Sequence, residues 1–270
     1  MRVWSLGSGS SGNALVVECA GHRVLIDCGF GPRAIAKRLH AVNIAPESIE
    51  ALLVTHEHVD HAQGVTRAQH KWRWPVVATG GTIDAIGEIP ARWRREIVPG
   101  TPLALDGFTV DAYAIPHDAA APAAFRLTSR ASGERVGIAH DLGRVPASVH
   151  DAFCGLEILC VEANHDRDLL RSGRYPPRLQ ERIAGGRGHL SNVETLAWLR
   201  ETARATTREV VLLHLSAENN TPAIAERTLR DGLKATVFRG SVRAAPRSTP
   251  TPIAGFNTPT GRSVQLGLGI

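Results

Sequence analysis

The sequence contains few cysteines, and their spacing argues against a thiolate metal site. Only four cysteines occur in 270 residues, and no pair of them has CxxC spacing. A chain of this length can bury a core large enough to need no disulfide bonds. We therefore expect buried thiols, rather than disulfides or ligands, at Cys19, Cys28, Cys154 and Cys160.

Long apolar runs are also missing. No run approaches the ~18 residues that a membrane-spanning helix requires. The first residues, MRVWSLGSGSSGN, turn polar too early to form the apolar segment of a signal peptide. We expect a cytoplasmic protein without membrane contact, whose 43% apolar content forms one large α/β domain or two small ones.

Lysine contributes little of the positive charge. Lys37, Lys71 and Lys234 are the only lysines among 31 basic residues, and the net charge is +5. Guanidinium groups suit bidentate contacts with phosphate, so the composition modestly favours an anionic partner. A genome biased toward arginine codons explains it equally well, and the charge alone therefore does not identify a partner.

The hydrophobic pattern predicts strands and helices in one domain followed by a tail. Runs such as NALVVECA, HRVLIDCG and REVVLLHLS indicate strands, and GPRAIAKRLHAV indicates a helix that begins near Pro32. The pattern weakens after Gly232. We expect residues 1–245 to form the domain and residues 246–270 to form an irregular tail.

Several predicted strands end in residues that can bind metal ions. Five strand-like runs end in His56, His117, Asp141, His165 and His214. Rigid scaffolds present functional groups at such strand ends. A random scatter of twelve histidines would not favour these positions so consistently.

Side chains that can bind metal ions are most concentrated in the stretch THEHVDH, residues 55–61. Imidazole and carboxylate groups are ligands of Zn²⁺ and Mn²⁺. His56 and His58 can bind one ion while Asp60 and His61 turn toward a second. A metal site explains this motif better than an accident of polar loop composition.

The motifs, in their order along the chain, resemble those of the metallo-β-lactamase-fold hydrolases. Asp27 in VLIDCG resembles the first family motif, a structural aspartate beneath the site, and THEHVDH resembles the second. The resemblance implies a four-layer αββα sandwich in which two mixed sheets are flanked by helices. It also implies two divalent ions, Zn or Mn. The implied ligands are His56, His58 and His117 for one ion, Asp60, His61 and His214 for the other, and Asp141 as the bridge.

A closer resemblance is to the YycJ/WalJ-like nuclease branch of this superfamily. SLGSGSSGN, PHDA, HDLG, VEANHD, GHLSN and HLSAENNTP resemble that branch at similar places. His140 departs from it, because threonine is expected before Asp141. The branch implies a dinuclear-metal phosphodiesterase, an exonuclease on DNA that uses a metal-bridging hydroxide. Two adjacent ions lower the pKa of water and neutralise charge on the phosphate.

Two further histidines are candidates for catalysis beside Asp60. His189 in RGHLSN resembles the additional histidine that nucleases of this superfamily use near the scissile phosphate. It can donate a proton to the departing oxygen. His165, with Glu162, is expected to support the ligands. From position alone, either could be an ordinary loop histidine.

Substrate contacts are predicted from the arginines that precede His189 and from the glycine-rich loop. We expect Arg178, Arg182 and Arg187 to contact the DNA backbone. The loop GSGSSGN lacks the lysine of a P-loop, so it is more consistent with a tight turn that places Asn13 near the site.

Three classes of function fit these motifs. The nuclease competes with a small-molecule hydrolase of the same fold, acting on a thioester, lactone or lactam, and with a non-catalytic metal-binding module. Asp141 in place of a cysteine argues against a β-lactamase, and the full ligand set argues against the non-catalytic module. We favour the nuclease.

Overall fold

The computed structural model describes residues 1–255, which form two facing seven-stranded sheets. The first sheet has the order β14-β1-β2-β3-β4-β5-β6. Its strands are β1 (Arg2–Gly7), β2 (Ala14–Cys19), β3 (His22–Ile26), β4 (Ala51–Leu53), β5 (Val76–Ala78), β6 (Arg94–Glu96) and β14 (Thr251–Ala254).

The second sheet has the order β13-β12-β11-β10-β9-β8-β7. Its strands are β7 (Leu103–Ala104), β8 (Phe108–Ala114), β9 (Ala123–Ser129), β10 (Arg135–Ala139), β11 (Ile158–Glu162), β12 (Glu209–Leu213) and β13 (Ser241–Ala244). In both sheets antiparallel hairpins lead into parallel strands, β3–β6 in the first and β10–β13 in the second. Both sheets are therefore mixed, as predicted.

Helices cover the outer faces of the two sheets. The described helices are α1 (Pro32–His40), α2 (Val59–Ala62), α3 (Val65–Trp72), α4 (Gly80–Ile86), α5 (Ala147–Phe153), α6 (Arg167–Ser172), α7 (Pro177–Ala184), α8 (Asn192–Thr202) and α9 (Pro222–Leu233). Short 3₁₀ turns lie at Pro46–Ser48 and Ala91–Trp93. Helix boundaries follow local chemistry: Pro32 starts α1, and Ser191 and Glu194 form a capping box at α8.

Three apolar clusters separate four layers. The central cluster joins the inner faces of the sheets and includes Val17 and Phe125. One outer cluster packs α1, α3 and α4 on the first sheet, and the other packs α5, α8 and α9 on the second. The central strands are buried on both faces, which explains their continuous apolar runs. The predicted four-layer αββα sandwich is confirmed.

The parallel strands determine where the polar strand-end residues lie. The carboxyl ends of parallel strands meet at one edge of a sheet. His56 therefore follows β4, while Asp141 and His214 follow β10 and β12 of the facing sheet. Within residues 1–255, no helix is long and apolar enough to cross a membrane.

The structure corrects the prediction for residues 246–270 in part. Thr251–Ala254 form β14, which pairs antiparallel with β1. Pro252 is tolerated because β14 is an edge strand. Ile253 and Ala254 join the central apolar cluster. Four residues that include a proline are too short a pattern to indicate a strand, and the remainder of the predicted tail, from residue 256 onward, lies outside the described residues.

The four cysteines are free thiols, as predicted. Cys19, Cys28 and Cys160 are buried, while Cys154 is half-buried. Burial raises the pKa of the Cys28 thiol to about 12, since a thiolate is poorly solvated there. No thiolate is therefore available at Cys28 near neutral pH.

The packing of β14 predicts the effect of a tail substitution on stability. Ile253 is 1% exposed, and replacing it with Ala should lower the free energy of unfolding by about 2–5 kcal/mol. Val237→Ala is the control, because Val237 is 55% exposed and its replacement should change stability by about 0.5 kcal/mol or less. Equal stability of the two variants in urea unfolding would contradict the docking of β14.

Candidate metal centre

The THEHVDH loop is held in place by close backbone contacts. Cys28 N–H donates to the His61 carbonyl at 2.7 Å, and Asn13 N–H donates to the Asp60 carbonyl at 2.7 Å. A Cβ atom at Gly29 would lie only 1.8 Å from the Asp60 carbonyl oxygen. Glycine is therefore required at this position for the segment after β3 to approach the loop.

The structure brings together the residues predicted to bind the first ion. His56, His58, His117 and Asp141 each offer a ligand atom, and these atoms lie within 4.8 Å of one another. Nε2 of His56 lies 3.3 Å from Oδ2 of Asp141. Nδ1 of His58 and Nε2 of His117 are 3.2 Å apart. These atoms converge on one small volume.

The residues predicted for the second ion form an adjoining group. Ligand atoms of Asp60, His61 and His214 also lie within 4.8 Å of one another. Asp141 contacts this group through Oδ2, which is 3.2 Å from Nε2 of His61. Its Oδ1 is 2.7 Å from Nδ1 of His214, the ring nitrogen that faces Glu162, while Nε2 of His214 faces Asp60. The Asp141 carboxylate therefore contacts both groups, as a bridging ligand must.

The ring nitrogens that face away from these groups mostly contact protein oxygens. This is the arrangement that fixes the tautomer and orientation of metal-binding histidines. The contacts are His56 Nδ1 to Thr55 Oγ1 at 3.0 Å, His58 Nε2 to the Asp118 carbonyl at 2.8 Å, His61 Nδ1 to Asp27 Oδ2 at 2.7 Å, and His117 Nδ1 to the Gly188 carbonyl at 3.1 Å.

Asp27 lies beneath the two groups, and His140 contacts it. Asp27 is fully buried, and its carboxylate accepts hydrogen bonds from the backbone and hydroxyl of Thr55. Nδ1 of His140 lies 3.0 Å from Oδ2 of Asp27. The histidine that departs from the resembled pattern therefore contacts the structural aspartate and does not enter either predicted ligand set.

Three residues of the site have left-handed backbone conformations. The φ angles are 61° at Asp27, 47° at Asp141 and 54° at His214. Such angles are uncommon for residues other than glycine and persist only where the surrounding structure holds them. Asp27 and His214 directly follow β3 and β12, and Asp141 lies two residues after the end of β10.

The buried charges of the site strongly alter its acid–base equilibria. Burial raises the pKa of Asp60, but the hydrogen bond from His214 and the charge of His61 lower it more, to about 2. Burial lowers the pKa of His61, but the carboxylates of Asp141 and Asp27 raise it more, to about 10. Asp60 is therefore ionised at neutral pH.

The donor set fits divalent metal ions. Nε2 of His56 and Oδ1 of Asp141 are buried, and neither has a correctly oriented hydrogen-bond partner in residues 1–255. Buried polar atoms without a well-oriented hydrogen bond are unfavourable, and a bound cation would satisfy both. Imidazole nitrogens and carboxylate oxygens of this kind suit Zn²⁺ or Mn²⁺.

His189 lies beside both groups and is held by Glu162. Its ring centroid is 5.3 Å from those of His117 and His214. Nδ1 of His189 lies 2.7 Å from Oε1 of Glu162, so Nε2 remains for contacts in the cleft. Burial lowers the pKa of His189, but the charge of Glu162 and its hydrogen bond raise it more. The sequence predicted instead that Glu162 acts together with His165.

An open cleft of ≈ 250 Å³ leads to these residues. One wall is α7, which contributes Leu179, Arg182 and Ile183, and Arg187 follows close behind. Arg182 is bonded to Asp118 at 2.9 Å across the cleft. Arg178 is exposed on the same helix but does not line the cleft.

Two predicted site residues lie elsewhere. His165 is 1% exposed and lines a separate cavity between α6 and α7, because the chain after β11 pairs with Ser191 and turns away. It is therefore not placed to act as a catalytic group in the cleft. Asn13 is fully buried beneath Asp60, so it does not reach a substrate.

Comparisons with known proteins agree with the resemblance seen in the motifs. The beta-lactamase superfamily domain matches residues 22–215. The chain is 31% identical over 230 residues to exodeoxyribonuclease WalJ of Streptococcus pneumoniae D39, covering 83% of this chain and 85% of WalJ. It is 28% identical over 237 residues to exodeoxyribonuclease YycJ of Bacillus anthracis, covering 86% and 89% of the two chains.

A solved structure shows the same fold. The metallo-beta-lactamase fold protein YhfI of Bacillus subtilis superimposes with a TM-score of 0.69. The superposition covers 93% of this chain and 98% of YhfI, at 18% sequence identity. At that identity the similarity concerns the fold alone.

The position of Asp141 predicts a loss of bound metal on its replacement. Asp141→Ala removes the carboxylate that contacts both groups. Losing a residue that only supports a ligand lowers metal affinity by about 10–100-fold. We expect the loss of Asp141 itself to lower the affinity by more than that. Competition with a fluorescent chelator measures this affinity, and Cys154→Ser is the control because Cys154 does not belong to either group. Unchanged affinity in Asp141→Ala would contradict the ligand assignment.

Proposed function

Since this chain belongs to the beta-lactamase superfamily, in the branch of the WalJ and YycJ exodeoxyribonucleases, we propose that it hydrolyses phosphodiester bonds at the ends of DNA strands. It is a metal-dependent hydrolase, and on this proposal it uses two ions of Zn²⁺ or Mn²⁺. The cytoplasmic location expected from the sequence is consistent with a DNA substrate.

The contact of Asp141 with both ligand groups is the observation that carries the proposal. His56, His58 and His117 would hold one ion with Asp141. Asp60, His61 and His214 would hold the other. Two ions bound there would supply an activated water at neutral pH and would neutralise charge on a phosphate.

The chain's own residues account for the rest of the reaction. Glu162 holds Nδ1 of His189, which fixes the ring so that Nε2 can donate a hydrogen bond to the scissile phosphate or to the departing oxygen. Donors fixed in advance stabilise the charge that develops in the transition state.

Arginines give the cleft its preference for a polyanion. Arg187 is exposed at the cleft and has no ion pair among the described residues. Arg182 can exchange its contact with Asp118 for a phosphate, and Arg178 lies one helical turn before it. Guanidinium groups bind phosphate oxygens in a bidentate manner. Arg182 and Arg187 at the cleft, with Arg178 beside it, suit a nucleic acid strand better than a small neutral substrate.

The direct test is degradation of end-labelled DNA. We expect the purified protein with Mn²⁺ or Zn²⁺ to release nucleotides stepwise from one end of linear DNA, and to release fewer from RNA. A closed circular DNA is the control, because an exonuclease leaves it intact. Hydrolysis of thioesters, lactones or lactams without degradation of DNA would support the small-molecule hydrolase and contradict the nuclease.

His189→Ala should slow DNA hydrolysis without changing metal binding. The variant should retain both ions, because His189 lies outside the proposed ligand set, and should degrade DNA about 10²–10⁴-fold more slowly. A nitrophenyl phosphodiester should lose much less activity, since its leaving group needs little protonation. His22→Ala is the matched control, because His22 is half-buried in β3 and contacts Glu50. Loss of metal from His189→Ala would make His189 a ligand instead.

A further inference from the structure

Asn13 is a buried amide that directly contacts the proposed second-ion ligands. It lies in the loop between β1 and β2 and is 0% exposed. Its Nδ2 atom is 3.1 Å from Oδ2 of Asp60 and 2.9 Å from Nε2 of His61. An amide nitrogen of this kind is a donor only. It can therefore fix the position of an acceptor but cannot take the place of a metal ligand.

The other end of the same amide is held by its own loop. Oδ1 of Asn13 accepts a hydrogen bond from the backbone N–H of Gly9 at 2.8 Å. Its backbone N–H also donates to the Asp60 carbonyl at 2.7 Å. The amide plane is thus fixed by the glycine-rich loop, and the direction in which Nδ2 donates is fixed with it.

Asp60 needs such a support more than the other ligands do. Its side chain is 22% exposed, whereas those of His61 and His214 are 0% and 5% exposed. Asp60 is the second residue of the short helix α2, and its Oδ2 atom is otherwise contacted by His61 and His214 alone in residues 1–255. Without the Asn13 donor, the carboxylate would be free to rotate toward the solvent in the cleft.

We propose that Asn13 is a positioning residue, whose amide orients the Asp60 carboxylate for the ion held by Asp60, His61 and His214. The inference rests on the two-ion site of the proposed function. It gives the loop GSGSSGN a role in assembling the metal centre, in place of the substrate contact expected from the sequence.

The experiment is a titration of Zn²⁺ into the demetallated full-length protein, without DNA. In Asn13→Ala we expect the first ion to bind normally and the second about 10–100-fold more weakly, the usual cost of removing a partner of a ligand. Ser11→Ala is the control, because Ser11 is an exposed residue of the same loop. Normal binding of the second ion by Asn13→Ala would overturn the proposal.

A double-mutant cycle distinguishes positioning from a general effect on the loop. If Asn13 acts through Asp60, adding Asn13→Ala to Asp60→Ala should weaken the second ion no further. An additional loss in the double variant would show that Asn13 acts in another way. Should Asn13→Ala fail to fold, Asn13→Ser is the second variant: its hydroxyl is too short to reach Asp60, and it should show the same selective loss.

These outcomes are separate from those that test the nuclease. A wild-type protein that binds two ions but leaves DNA intact would contradict the nuclease and leave the role of Asn13 standing. A wild-type protein that binds one ion would overturn both the two-ion site and this inference. Normal second-ion binding in Asn13→Ala together with active wild-type enzyme would overturn the inference alone.

Discussion

The rest of the site depends on the contacts that the carboxylate of Asp27 makes. This carboxylate is fully buried and accepts hydrogen bonds from Thr55, where the THEHVDH loop begins. It also contacts His61 at 2.7 Å and His140, from the facing sheet, at 3.0 Å. One side chain therefore joins the end of β3, the metal-binding loop and the end of β10. Removing a partner from such a buried network leaves charges without compensation.

The site concentrates negative charge where water cannot solvate it. Asp27, Asp141 and Glu162 are almost completely buried, and Asp60 is largely so. Burial raises the pKa of Glu162, but the charge and hydrogen bond of His189 lower it more, to about 2. Buried carboxylates are stable only beside positive charge or donors. In residues 1–255 histidines supply this positive charge: burial lowers the pKa of His61, but the carboxylates of Asp141 and Asp27 raise it more, to about 10.

The sequence predicted the fold, and the residues that its family resemblance implies as ligands lie in two adjoining groups in the structure. Runs of strands and helices indicate an α/β domain, and histidine motifs mark strand ends, whereas the four layers and the division of the ligands were implied by the resemblance. The directions taken by loops after the strands were not predictable. Glu162 contacts His189 rather than supporting His165, since the chain pairs His165 with Ser191. The burial of Asn13 likewise depends on a loop that folds against residues 47 positions away.

Helix α7 differs from the rest of the scaffold in how it is held. It forms a wall of the cleft, yet none of its residues, all of which the structure describes, is buried. Its contact across the cleft is an ion pair between Arg182 and Asp118, whose side chains are 67% and 59% exposed, respectively. Exposed pairs of this kind stabilise by about 0–1 kcal/mol. Local opening of α7 therefore requires far less free energy than unfolding of the sheets, and the width of the cleft can fluctuate while the metal-binding groups stay fixed.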